Sequence, residues 1–132
     1  MIKPNDQILE EFILAIRRQF PEVSEKLDEW MEIQEWDHED QMYCATIEHF
    51  SQITTDSLKE NNVEKAERYL DFMSKRLERA TEIEKVHIDT CFVEHLMWDD
   101  FSDSNRRKCW ALMPQNLQKL YYDFWNRKLY HE

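Results

Sequence analysis

The chain has 132 residues, no glycine, three prolines and a formal net charge of −11. Without glycine, the tight hairpin turns of a β-rich fold are hard to build, so the composition points to helices. It also excludes a P-loop, a dinucleotide-binding fingerprint and a G-x-S-x-G nucleophile elbow. Five tryptophans and 13% aromatic residues argue against disorder, and the length suits a single domain, residues 1–132, with a core that needs no staples.

Apolar residues recur at helical spacing along the chain. The first helix is expected from Asn5 or Asp6 to Phe20, burying Ile8, Leu9, Phe12, Ile13, Ile16 and Phe20. Pro21 suits the first turn of a second helix, which buries Val23, Leu27, Trp30 and Met31 and ends within "EWDHEDQ", Glu35–Gln41. A third helix runs to about Glu60, with Tyr43, Ile47, Phe50 and Leu58 in register. Asn61 or Asn62 caps a fourth, whose apolar residues Val63, Ala66, Leu70, Met73, Leu77 and Ala80 alternate by threes and fours. A fifth is expected over Glu82–Trp98. After the loop Asp99–Asn105, a short helix over Arg106–Leu112 stops before Pro114. The last runs from Pro114 to about Lys128, burying Leu117, Leu120, Tyr121 and Phe124. The expected fold is all-α: six to seven antiparallel helices packed as stacked helical hairpins, in a bundle or a short superhelix.

The charge is unevenly spread. Residues 1–60 hold 15 acids and 5 bases, residues 61–132 hold 13 and 12, and Glu22–Asp40 sets 9 acids against the single Lys26. Such a surface repels nucleic acid and anionic membranes and attracts basic partners. Dense carboxylates stand there among Trp30, Met31, Trp36, Met42 and Tyr43, and interfaces favour aromatic anchors. The candidate partner-binding set is Glu25, Asp28, Glu29, Glu32, Glu35, Trp36, Asp37, Glu39 and Asp40. Trp36 lies beyond its helix's apolar register, with no evident packing role. A solvated helix face is the plainer reading of the same charges.

Cys44, Cys91 and Cys109 are far apart and form no C-x-x-C. An odd count without close pairing suggests no disulfide framework, hence a reducing cytoplasm. In "VHIDTCFVEHL", His87, Cys91 and His95 recur every fourth residue, a stripe suited to zinc or to a thiol beside a base. "EWDH" and "EKVH" each place a glutamate three residues before a histidine, as di-iron helical bundles do, with Glu11 and Glu48 available as further carboxylates. The alternative metal set is therefore Glu35, His38, Glu84, His87, Cys91 and His95. The plainer reading is a helix edge, with Cys91 as a small buried hydrophobe, and no cofactor is expected. Asp89 projects toward the apolar band and needs a partner such as Arg76 or Arg79. The basic run "NRRKCW" is expected to pair locally with Asp99, Asp100 and Asp103.

"DTCFVEHL", an acidic loop and "ALMPQNLQKLYYDFW" resemble a family of small all-helical bacterial proteins similar to the immunity proteins of toxin systems, in which an antidote blocks a toxic domain. The resemblance spans roughly residues 40–125 and rests on packing patterns; the N-terminal acidity lies outside it. It implies a helical fold and partner binding, and it carries over no catalytic residue. The expected function is a non-enzymatic cytoplasmic interaction module, in the immunity form an antidote, that binds a basic protein such as a toxin domain. The alternatives are a metal-dependent helical enzyme using zinc or di-iron, and a structural or adaptor subunit of an oligomer.

Overall fold

The computed structural model describes residues 3–36 and 42–131. Among these it is all-helical: α1 (Asn5–Gln19), α2 (Pro21–Ile33), α3 (Tyr43–Lys59), α4 (Val63–Glu78), α5 (Glu82–His87), a π-helical segment (Ile88–Val93), α6 (Asp103–Leu112) and α7 (Gln115–Trp125). The ends follow local chemistry. Pro21 starts α2, Asn62 caps α4 by accepting from Lys65 N, and Thr81 with Glu84 forms a capping box on α5. Asn126 closes α7 in the left-handed conformation at φ 54°. None of these helices is long and apolar enough to cross a membrane.

The centre of the fold is α3, which packs against α1, α2, α4, the π-helical segment and α6. Its sequence looks too polar for that place, since Thr46, Ser51, Thr54, Thr55 and Ser57 are all buried. Each hydroxyl is satisfied. Thr46, Thr54 and Ser57 donate to the carbonyls four residues back, at 2.7, 2.9 and 2.9 Å. Around α3, Phe20, Phe50, Tyr69 and Phe92 form an aromatic chain with centroid separations of 4.8 Å for Phe20–Tyr69, 5.4 Å for Phe50–Tyr69 and 5.4 Å for Phe50–Phe92. Burial, with the Glu22 carboxylate beside it, pushes the Tyr69 phenol up to about 12.

The expected single helix over Glu82–Trp98 is not continuous. Glu94 N bonds to Asp89 O, five residues back, at 3.1 Å, and Leu96 N turns to Val93 O at 3.2 Å. Phe92 O is thereby left to accept from Ser51 Oγ at 2.7 Å, while Met97 N, at φ 60°, donates to Thr55 Oγ1 at 3.0 Å. These two bonds to α3 override the local periodicity.

The cysteine expectation is also corrected. Cys44 and Cys91 form a disulfide across 47 residues, with their Cα atoms 5.4 Å apart, and Cys109 is free and buried. Sequence distance hid the pairing because α3 and the π-helical segment meet only in the fold. The cysteine argument for a reducing compartment goes with it. Trp30 and Met31, expected in the core, are half-buried. Phe124 is 55% exposed, because the chain turns at Asn126 and Leu129 is the buried residue beyond it.

Candidate functional site

Helix α2 exposes Glu25, Asp28, Glu29 and Glu32, and Glu35 continues the row in the turn that follows. Apart from the neighbours Asp28 and Glu29, each member has another three or four residues away, so like charges face each other along the helix at a cost of about 0.2–0.5 kcal/mol per pair. The last turn of α2 holds no basic residue, so Glu29 and Glu32 also oppose the negative end of the helix dipole. Arg17 of α1 relieves part of the row: it pairs with Asp28 at 2.8 Å and donates to Ser24 Oγ at 2.9 Å.

Apolar groups stand within this acidic surface. Ile33 is 77% exposed. A hollow of about 150 Å³ between α1, α2 and α3 is lined by Leu14, Arg17, Met31, Met42 and Tyr43, among others. Trp36 has the packing role that its register concealed. It is half-buried and meets Trp30 edge-on at 5.1 Å, and Trp30 stacks on His49 at 4.5 Å. Burial lowers the affinity of His49 for a proton. Trp36 therefore belongs to an aromatic stack rather than standing free as an anchor. Asp37, His38, Glu39 and Asp40 lie outside the described residues.

The metal-type residues are dispersed. Glu84 caps α5 and pairs with Arg76 at 3.3 Å. His87 Nδ1 lies 2.9 Å from Ile83 O, and His95 pairs with Glu48 at 3.5 Å while stacking on Trp98. Cys91, nominated as ligand or nucleophile, is in the disulfide and offers no thiolate. Among the described residues no group of three His, Cys, Asp or Glu side chains is placed to hold a metal ion.

Asp89 departs from its expectation too. Its Oδ1 is buried without a hydrogen-bond partner, and Arg76, one of the two expected partners, is engaged with Glu84 instead. Burial, and then the charge of Asp123, raise the Asp89 carboxyl above its usual range, and burial with Asp89 does the same to Glu94. The run Asn105–Trp110 meets its expectation only in part, since Asp99 is held by Lys59 at 2.7 Å instead. Arg107 pairs with Asp103 at 2.6 Å, while Arg106 donates to the backbone carbonyls of Asp100, Leu129 and Met97.

One surface went unread in the sequence. Trp98 and Phe101 are 60% and 82% exposed, and with Leu96, Tyr121, Trp125 and Arg127 they line a cleft of about 420 Å³. Its residues come from three separate stretches, and only an exposed Trp-x-x-Phe in the loop hinted at it.

This is an all-helical domain with an acid-rich face on one helix. The chain belongs to the family described as a domain of unknown function, DUF7674, whose profile matches residues 13–126. No curated protein matches the chain. No solved structure matches it.

Proposed function

We propose that this chain is a non-enzymatic protein-interaction module whose α2 face binds a basic protein. The observation that carries the reading is the row Glu25, Asp28, Glu29, Glu32 and Glu35, exposed at like-charge spacing with no cation in the last turn of α2. Such a row raises the energy of the isolated domain. A cationic surface laid against it relieves the repulsion and speeds the encounter. Ile33 and the hollow beside Met31 and Met42 supply apolar contact within the charged field. In the immunity form of this reading, the partner is a toxin domain whose basic cleft the acidic face covers.

The reading is independent of compartment, since the disulfide withdraws the cysteine argument for the cytoplasm. Its test is capture by the purified chain from its own cell at low and moderate salt, beside the charge-reversed variant E29K/E32K/E35K. A basic protein retained by the natural chain, weakened by salt and lost with the variant is the expected result. A partner indifferent to the reversal would remove the α2 face from the account. For the immunity form, the captured protein must be toxic when produced without this chain.

A further inference from the structure

The same acidic chain carries a concentrated positive hollow. It measures about 380 Å³, lies between the end of α1 and the outer face of α4, and is lined by Phe20, Arg68, Phe72, Lys75, Arg76 and Arg79, with Gln19 and Asp71 at its margin. At 100° per residue, positions 68, 75 and 79 fall within about 40° of one another, so Arg68, Lys75 and Arg79 share one stripe of α4 and its cap. Arg76 closes one side.

Four cations thus meet a single carboxylate in the lining. Two of them are shared: Arg68 with Glu22 at 3.5 Å, and Arg76 with Glu84 at 3.3 Å. Lys75 and Arg79 have no ion pair among the described residues and are exposed. With Glu22 and Glu84 counted against them, the hollow keeps an excess of one positive charge. Cations at a helix C-terminus answer the helix dipole, which accounts for Lys75, Arg76 and Arg79. It accounts neither for Arg68, more than two turns earlier, nor for the concavity.

We infer that this hollow binds a small oxyanion ligand, a phosphate ester or a polycarboxylate. Guanidinium forks suit planar or tetrahedral oxyanions, which they hold by paired N–H donors. The volume fits a small molecule, and the half-buried Phe72 on its wall accepts an apolar portion, while Arg68 lies over the buried Phe20 ring 5.4 Å from its centroid. A long polyanion or an anionic bilayer is disfavoured by the chain's overall charge of −11. This site is separate from the α2 face and does not depend on the proposed partner.

The test is thermal shift and calorimetric titration of the full chain at low ionic strength with pyrophosphate and with citrate. Sodium chloride at matched ionic strength is the control. Saturable stabilisation by one of the two anions is expected, and which one acts identifies phosphate or carboxylate chemistry. In K75E/R79E, which alters two exposed side chains without ion pairs, the affinity falls at least about tenfold while circular dichroism stays unchanged. Should reversal disturb folding, K75Q/R79Q gives the same reading with a smaller loss. No saturable effect from either anion, an effect reproduced by chloride, or equal binding by natural chain and folded variant would overturn the inference.

Discussion

The α2 face and the α4 hollow carry opposite charge and are built in opposite ways. On α2 the carboxylates lie within one short stretch, Glu25–Glu35, exposed and mutually repelling, with Arg17 relieving Asp28. On α4 the cations are spread over Arg68–Arg79, gathered into a concavity by the end of α1, and partly neutralised by Glu22 and Glu84. An exposed row along a helix suits a large complementary surface, whereas a walled hollow suits a small ligand. Net charge alone would assign the chain a single electrostatic character, and the fold divides it into two.

Several measurements break or sharpen that contrast. The largest effect should come from the disulfide, which fixes the first turn of α3 to the π-helical segment. Its loop of 47 residues implies that reduction, or C44S, costs about 2–4 kcal/mol in chemical unfolding. Because Cys44 begins the helix next to α2, amide exchange should quicken around α2 and the start of α3 while Arg68–Arg79 stays protected. Equal loosening of both regions would mean that the two surfaces do not rest on separable supports.

Next in size is the shared frame. Ser51→Ala leaves Phe92 O without its donor and should cost about 1–3 kcal/mol. It should lower Tm while leaving the tenfold anion contrast between natural chain and K75E/R79E intact. If the anion response vanishes too, the hollow depends on the π-helical segment in a way its geometry does not indicate.

The smallest effects are in pH, and they differ in sign across the molecule. His49 lies under the α2 face stacked on Trp30, and its folded affinity for a proton is lowered. Its contribution is therefore full above the unfolded pKa near 6.5 and is lost as pH falls through the lower folded value. Asp89 and Glu94, in and beside the π-helical segment, are raised by burial. Their contribution is full below the unfolded values of 3.8 and 4.5 and is lost as pH rises through the folded ones. Asp89→Asn should thus raise Tm slightly at pH 7 and leave it nearly unchanged at pH 3. A His49→Gln variant should flatten the slope of stability between pH 5 and 7, where the reference histidine titrates. Thermal melts between pH 3 and 7 check both.

Much of the fold was legible in sequence because helical periodicity and capping are local. Asn62, Pro21 and the stripes of α1 and α4 lie where spacing and cap chemistry put them. The departures come from long-range contacts. The π-helical segment answers Ser51 and Thr55, more than 40 residues away, and the disulfide joins positions of no visible pairing. At the candidate site, the carboxylates of α2 could be read directly because they lie within eleven residues at helical spacing. The role of Trp36 could not, since its partner Trp30 faces it only once the chain turns at Glu35, φ 59°. The α4 hollow was illegible for the same reason: no spacing rule shows that Phe20 walls a groove beside Arg68.

The most direct test of two opposed surfaces is a single pair of titrations of the isotope-labelled chain, followed by amide chemical shifts. One uses a lysine-rich helical peptide, the other pyrophosphate. The account predicts two separate sets of perturbed amides, Glu25–Glu35 with the peptide and Arg68–Arg79 with the anion. Overlapping sets, or a peptide that leaves α2 unmoved, would contradict it.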